Sequence, residues 1–177
     1  MDSGRARFSP ADVEFMQGMI HHHAQAILMS AWAPSHDASP AIRELTARII
    51  VAQRDEIAFM QRWLREHGLE VPDADTSHFM MAGMDMKLMP GMLTQEQLKI
   101  LNDARGKDFD RLFMEFMIQH HEGAIAMVQK LFSSQGATQN EYVFRFASDV
   151  DADQSAEIER MRRMLASGSL SVPRDKQ

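Results

Sequence analysis

Apolar residues recur with a helical period along most of the chain. The first stretch, about residues 10–33, begins at Ser9-Pro10, an N-cap followed by a proline at the first helical position. The second stretch, about 40–67, begins with the same signal at Ser39-Pro40 and keeps its period until a glycine follows it. This pattern predicts two helices joined as a hairpin over residues 9–68.

The second half of the chain carries a similar pattern. Thr94 to Gln97 form a capping box that predicts a short helix, and Gly106 ends or kinks it before a long helix over about 107–134. Thr138 to Glu141 form another capping box, which predicts a last helix to about Ser167. The chain is therefore predicted to be one domain, 1–177, with a first hairpin at 9–68, a linker at 69–93, a short helix plus second hairpin at 94–168, and a frayed tail at 169–177.

The two predicted hairpins are copies of one motif. The first-helix positions Asp12, Phe15, Met16, Met19, Ile20, His22, His23, Ala26, Ile27 and Met29 recur as Asp110, Phe113, Met114, Met117, Ile118, His120, His121, Ala124, Ile125 and Met127. A second string of matches links 53–64 to 154–165, with a slightly longer inter-helix loop in the second copy. Because one hairpin cannot bury both of its apolar stripes, two hairpins related by a pseudo-two-fold axis predict an all-α four-helix bundle. The linker would cross between them.

The stripes that face the predicted core carry polar side chains and methionines. Buried ionisable groups need partners, because an unpaired charge in a low dielectric costs several kcal/mol. Two interpretations stay open: a structural network of carboxylates, histidines and glutamines that sets the helix register, or a set of secondary metal ligands. The residues concerned are Asp12, Gln53, Glu56, Met60, Asp110, Gln154, Glu157 and Met161.

Each copy also has two adjacent histidines. His23 and His121 lie on the inward stripe, where hydrogen bonding and metal ligation are equally open. His22 and His120 lie about 100° further round the helix, so we expect their imidazoles to be more accessible. Folding does not obviously need this second pair. His21 is the weaker candidate, because the second copy replaces it with glutamine.

The predicted linker is unusually rich in methionine. Its second set of candidate ligands is His78, Met80, Met81, Met84, Met86, Met89 and Met92. No helical stripe explains these thioethers as core, and Met84-Asp85-Met86 resembles methionine-rich copper-trafficking motifs. Thioethers select Cu(I), and imidazole serves Cu(I) and Cu(II) alike, so copper is the best match, with zinc as an adventitious alternative. The other interpretation is a flexible hydrophobic flap that adapts to a partner.

Composition excludes several classes of function. The net charge of -6 and the absence of a basic run argue against nucleic acid as a partner. No apolar run approaches the roughly 20 residues of a membrane span, so we expect no integral membrane protein. With no cysteine, thiolate sites and disulfides are excluded, and any soft ligand must be methionine. Residues 1–11 show no signal peptide.

The duplicated motif, together with Met-Pro-Gly-Met-Leu-Thr at 89–94, resembles the bacterial family called domain of unknown function 305. The resemblance implies a ferritin-like four-helix bundle, export to the periplasm, and copper binding through histidine and methionine. A cytoplasmic location stays open, because export depends on the resemblance. The family motif falls on Met16, Met19, His22, His23, Met114, Met117, His120 and His121, which form the first-rank metal site.

The leading hypothesis is a copper-binding protein for buffering, trafficking or tolerance. It needs no turnover, so no enzyme is expected, and its partners would be Cu(I) or Cu(II) and another copper-handling protein. A helical interaction bundle with a methionine-rich surface would explain the methionines but not the paired histidines. A ferritin-like oxidase is less expected, because its dimetal centre uses Glu-x-x-His helices that the chain lacks.

Overall fold

A computed structural model describes residues 8–76, 79 and 88–169. These residues contain four long α-helices and one short one, joined by loops. The helices are α1 (Pro10–Ala31), α2 (Pro40–Glu66), α3 (Gln95–Asp103), α4 (Gly106–Ser133) and α5 (Glu141–Ser169). The described residues form no strand, so the all-helical prediction is confirmed. Within the same ranges, no helix is both long enough and apolar enough to span a membrane.

Most helix starts follow the predicted capping chemistry. The Ser9 hydroxyl accepts the Asp12 amide, and the Asp12 carboxylate accepts the Ser9 amide at 2.7 Å, which completes a capping box. Ser39 caps α2 through the amide of Ile42. The predicted box at Thr94 and Gln97 is present at α3. These caps satisfy backbone donors that the first turn of a helix leaves unpaired.

The predicted capping box at Thr138 is wrong. The side-chain oxygen of Asn140 accepts the amides of Tyr142 and Val143, so Asn140 caps α5. Thr138 instead has a positive φ of 57°, and its amide points to the carboxylate of Asp12 at 2.8 Å. A contact with the other hairpin has therefore displaced the local capping arrangement.

The four long helices form two hairpins, α1 with α2 and α4 with α5, which meet through α1 and α4. Two buried apolar clusters fill the bundle. One contains Ala24, Met29, Ile42, Leu45, Ile49, Phe109, Phe113, Met117 and Met161 among others. The other contains Phe15, Met19, Ile20, Ile57, Met60, Trp63, Ala124, Val128 and Val150 among others. In α1, α2 and α4 the clusters occupy opposite ends of the helix, so they leave a layer between them near its middle.

Two aspartates tie the hairpins together in a reciprocal way. Asp12 of α1 accepts the amide of Thr138 in the α4–α5 loop. Its counterpart Asp110 of α4 accepts the amide of Ser39 in the α1–α2 loop, at 3.1 Å and 3.3 Å. Hydrogen bonds to charged groups contribute roughly 1.5–3 kcal/mol each. The pair fixes α1 and α4 antiparallel. Each aspartate lies about 15 Å along its helix from the paired histidines, at 1.5 Å per residue.

Candidate metal centre

A layer of buried polar side chains separates the two apolar clusters. We call it the polar belt, and it consists of His22, His23, Gln53, His120, His121 and Gln154, all of them at most 3% exposed. The belt takes one or two residues from each long helix at the position where the two clusters meet. Six buried polar groups in one layer are costly unless they are partnered.

His22 and His120 face each other across the α1–α4 interface. Their ring centroids are 3.9 Å apart and their planes are tilted by 40°. Both residues are fully buried, so the prediction that they have the more accessible imidazoles is wrong. Rotation by 100° round each helix turns these rings toward the other hairpin instead of toward solvent. The motif thus brings its two copies into direct contact.

His23 and His121 pair with carboxylates on the neighbouring helix of their own hairpin. The Nε2 of His23 donates to Glu56 of α2, and the Nε2 of His121 donates to Glu157 of α5. The two glutamates lie at the margin of the belt, with side chains 20% and 27% exposed. The cross-helix pairing expected for these stripes is therefore present twice, in equivalent positions.

Many belt atoms have no hydrogen-bond partner among the described residues. They are the Nδ1 atoms of His22, His23 and His121, both ring nitrogens of His120, Gln53 Oε1, and both amide atoms of Gln154. A buried polar group without a partner costs about 1–3 kcal/mol, so such groups are rare in folded proteins. Several imidazole nitrogens of this buried layer are therefore not used by the fold. This is the donor chemistry that a soft or borderline metal ion requires.

Thioethers flank this layer. The buried methionines of the predicted motif stripes are Met16, Met19, Met60, Met114, Met117 and Met161, and Met29 and Met92 are buried as well. Met19 lies one helical turn before the paired histidines of α1, and Met117 does the same in α4, so each shares a face with them. Among the described residues, no group of three or more His, Asp or Glu side chains is arranged to hold a metal ion. A metal site here would therefore combine imidazole with thioether sulfur.

A short segment of the linker, Met89–Leu93, crosses the α1–α4 interface, and we call it the strap. The Nε2 of His22 donates to the carbonyl of Pro90 at 2.9 Å. Gln25 holds the strap by two bonds to the backbone of Leu93, of 3.0 Å and 2.8 Å. Gln119 donates to the carbonyl of Gly91 at 3.4 Å. The strap therefore contacts the belt at His22.

Two glycines allow the strap to lie this close. Gly91 has a φ of 75°, which favours glycine, and a Cβ on it would meet the Gln119 carbonyl oxygen at 2.4 Å. A Cβ on Gly123 of α4 would lie 1.9 Å from the Pro90 carbonyl oxygen. The role of these two glycines in packing the strap was not predicted from the sequence. One signal was present: Gly123 occupies the repeat position of Gln25, so the two copies differ where the strap contacts them.

The second set of candidate ligands is only partly described. His78, Met80, Met81, Met84 and Met86 lie outside the described residues. Met89 is half-buried with its sulfur over Gly18, and Met92 is 5% exposed in an apolar cluster, so the expectation that no linker methionine is core is wrong for Met92. Both line a groove of about 1040 Å³ whose walls include His21 and Met127.

The belt disfavours positive charge in the absence of metal. Burial, and after it the neighbouring His23, lowers the pKa of His22 to about 3. Burial and then His22 lower the pKa of His120 well below its usual value of 6.5. On the α2–α5 side, partial burial raises the pKa of the Asp153 carboxyl, and the nearby charges of Glu56, Asp149 and Glu157 add to the effect. His22 and His120 are therefore neutral and able to act as ligands, while carboxylates line one margin of the belt.

The metal-free protein is expected to lose stability as the pH falls below 6.5. Unfolded His22 binds a proton near 6.5, whereas folded His22 binds one only near 3, so between these values the unfolded state holds more protons and acid favours it. The cost is about 1.4 kcal/mol per pH unit for each such histidine. Thermal unfolding with a chelator, from about pH 7 to about pH 5, measures the effect before most carboxylates titrate. An unchanged Tm over this range would contradict it.

The sequence profile of domain of unknown function 305 (DUF305) matches residues 12–165. The chain belongs to the DUF305 family. This match covers both copies of the motif and the linker, so the family resemblance drawn from the paired histidines is confirmed.

Several solved structures share the fold of this DUF305 chain. A protein of Streptomyces coelicolor, named as a candidate secreted protein of this family, is 28% identical with a TM-score of 0.73, over 89% of this chain and 93% of its own. CopM in its Cu(I)-bound form is 26% identical with a TM-score of 0.66, over 91% and 98% of the two chains. In its Cu(II)-bound form CopM is 28% identical, with a TM-score of 0.68, over 88% and 96%.

One curated relative matches a shorter segment. Protein L153 of Acanthamoeba polyphaga mimivirus is 39% identical over 59 residues, which are 33% of this DUF305 chain. The match spans 39% of the viral protein's length, and it adds no indication of function.

Proposed function

We propose that this DUF305 protein binds copper as cargo, through the belt histidines and the methionines that flank them. The observation that carries the proposal is the His22–His120 pair, whose rings are 3.9 Å apart and fully buried with three ring nitrogens unpartnered among the described residues. A folded protein retains such costly groups when they serve a ligand. The proposed ligands are Met16, Met19, His22, His23, Met114, Met117, His120 and His121.

The donor set favours copper over harder metals. Thioether sulfur is a soft, neutral ligand that suits Cu(I), and imidazole binds both oxidation states of copper and also zinc. Magnesium, calcium and manganese prefer oxygen, and the carboxylates Glu56 and Glu157 lie at the margin of the belt and are already bonded to histidine, so that only the neutral amide oxygens of Gln53 and Gln154 remain within it. The Cu(I)-bound and Cu(II)-bound forms of CopM support the same choice from a related fold.

We infer a role in copper buffering, trafficking or tolerance, without catalytic turnover. Histidine and methionine exchange metal readily, and the linker methionines at 80–89 would form a second site for passing the ion to another copper-handling protein. The Streptomyces relative, by its name, supports an exported location for this chain as well.

An anaerobic competition titration with Cu(I), Cu(II) and Zn(II) tests the proposal. A variant with His22, His23, His120 and His121 replaced by alanine is expected to lose at least about 100-fold in copper affinity, since removing even supporting groups costs about 10- to 100-fold. Replacing Met80, Met81, Met84 and Met86 by leucine should remove a weaker Cu(I) site. Zinc should bind more weakly than copper, because thioether is a poor zinc ligand.

Matched controls separate ligation from damage to the fold. His67→Ala removes a histidine whose Nδ1 contacts the Trp63 carbonyl oxygen at the end of α2, and Met164→Leu removes a half-buried methionine of α5. Both should bind copper like the unaltered protein. Unchanged affinity in the histidine variant would refute the belt site. No copper binding by the unaltered protein would favour the interaction bundle, and copper-dependent O₂ consumption would indicate an oxidase.

A further inference from the structure

Three of the four belt histidines make the same kind of contact with the same ring atom. The Nε2 of His22 contacts the Pro90 carbonyl oxygen at 2.9 Å, and the Nε2 atoms of His23 and His121 contact the carboxylates of Glu56 and Glu157. The three acceptors come from three different segments: the strap, α2 and α5. Their agreement is therefore not a by-product of one local turn.

The chemistry of the acceptors decides which nitrogen carries the proton. A carbonyl oxygen and a carboxylate oxygen can only accept hydrogen bonds, so each contacting Nε2 must be protonated. In a neutral imidazole the other nitrogen, Nδ1, then holds the free lone pair. In all three residues Nδ1 is buried and has no partner among the described residues. The bonded atom is thus the donor, and the unpartnered atom is the available ligand.

We propose that copper bound by His22, by His23 or by His121 is held through Nδ1 of that residue, and that the Pro90 carbonyl, Glu56 and Glu157 are positioning groups that fix this tautomer. The inference rests on the proposed function. Ligating histidines commonly donate their other ring N–H to a carboxylate or a backbone carbonyl, which orients the ring and raises its basicity. Neither ring nitrogen of His120 makes a hydrogen bond with a described residue, so the assignment does not extend to His120.

Binding through Nδ1 also indicates which methionines are the better candidate ligands. Nδ1 is bonded to Cγ and therefore lies nearer to its own helix than Nε2 does. Metal held by Nδ1 is accordingly closer to donors of the same helix, which favours Met19 in α1 and Met117 in α4, each one turn before the histidines. Met60 and Met161, on α2 and α5, are less favoured.

Long-range ¹⁵N–¹H correlation spectra of protein with labelled histidine test the assignment without copper. In the presence of a chelator at about pH 8, well above the usual histidine pKa, His22, His23 and His121 should each show a protonated Nε2 and an unprotonated Nδ1. Single histidine variants assign the signals. A protonated Nδ1 at His23 or His121, as the other tautomer or as imidazolium, would overturn the proposal.

A second experiment repeats these spectra with Ag(I), a soft ion that stands in for Cu(I) and is diamagnetic. The Nδ1 signals of these three residues should shift and the Nε2 signals should keep their protons. Glu56→Gln should mix the tautomers of His23, leave those of His22 unchanged, and weaken silver binding by about 10- to 100-fold. Glu159→Gln, which alters an exposed pair with Arg163, is the control. Coordination by Nε2 would refute only the ligand assignment, whereas no silver binding together with the expected tautomers would refute the metal proposal itself.

Discussion

Replacing Gly123 by alanine is expected to displace the strap from α4 and destabilise the protein. The added Cβ would lie 1.9 Å from the Pro90 carbonyl oxygen and 2.5 Å from the Gly91 Cα, both of them backbone atoms that cannot rotate away. Moving Pro90 would also break its hydrogen bond with His22. Overpacking and the loss of a buried hydrogen bond each cost about 1–3 kcal/mol, which together outweigh the roughly 1 kcal/mol that alanine gains over glycine in a helix.

Urea or thermal unfolding of the metal-free protein measures this effect. Gly168→Ala is the matched control, because a Cβ on Gly168 of α5 has no neighbour within 4 Å. That variant should be neutral or slightly more stable. If Gly123→Ala were as stable as Gly168→Ala, the close packing of the strap on α4 would be wrong.

Replacing His120 by leucine is expected to stabilise the metal-free protein while weakening copper binding. His120 is fully buried, neither ring nitrogen has a partner among the described residues, and its pKa is lowered by burial. An apolar side chain of similar size removes two unpaired polar atoms, each of which costs about 1–3 kcal/mol. Because leucine also loses the ring contact with His22, the net gain in the free energy of unfolding should be about 1–3 kcal/mol, less than the sum of the two costs. A gain in stability with a loss of binding is typical of a functional residue.

His36→Leu provides the opposite case. His36 is also buried, but its Nδ1 contacts the Ser35 hydroxyl and its Nε2 contacts Asn102, all within 3.0 Å. Its removal breaks these three contacts, so this variant should be less stable and should bind copper normally. Calorimetry of both variants with and without copper separates the two outcomes. Destabilisation by His120→Leu as large as that by His36→Leu would assign His120 a structural role.

Much of the fold could be predicted from the sequence because its determinants are local or repeated. Ser9, Ser39 and Thr94 mark helix starts through bonds made within one turn, and the structure has those starts. The duplicated motif requires two equivalent hairpins, since each leaves apolar surface that only the other can cover. Thr138 is the exception, because Asp12 of the other hairpin takes its amide.

The candidate site was harder to predict, because its geometry depends on contacts between distant segments. Helical spacing placed His22 at the edge of a stripe, but it does not indicate that α4 and the strap cover that edge. His21 and Gln25 are replaced by Gln119 and Gly123 in the second copy, and three of these four residues line or hold the strap. In the sequence alone, these differences between the two copies look like ordinary divergence, because the segment that contacts them is not known. Which residues ligate metal stays a prediction.

The reciprocal bonds from Asp12 and Asp110 bear on how such a chain could arise. A lone hairpin would leave its aspartate without a distant amide and its loop amide without a carboxylate. Two identical hairpins could supply both bonds to each other only as an antiparallel pair, so a single-hairpin ancestor would have been a homodimer. Fusion of two gene copies removes the requirement that both halves stay alike. A one-sided feature such as Gly123 can then evolve without appearing twice.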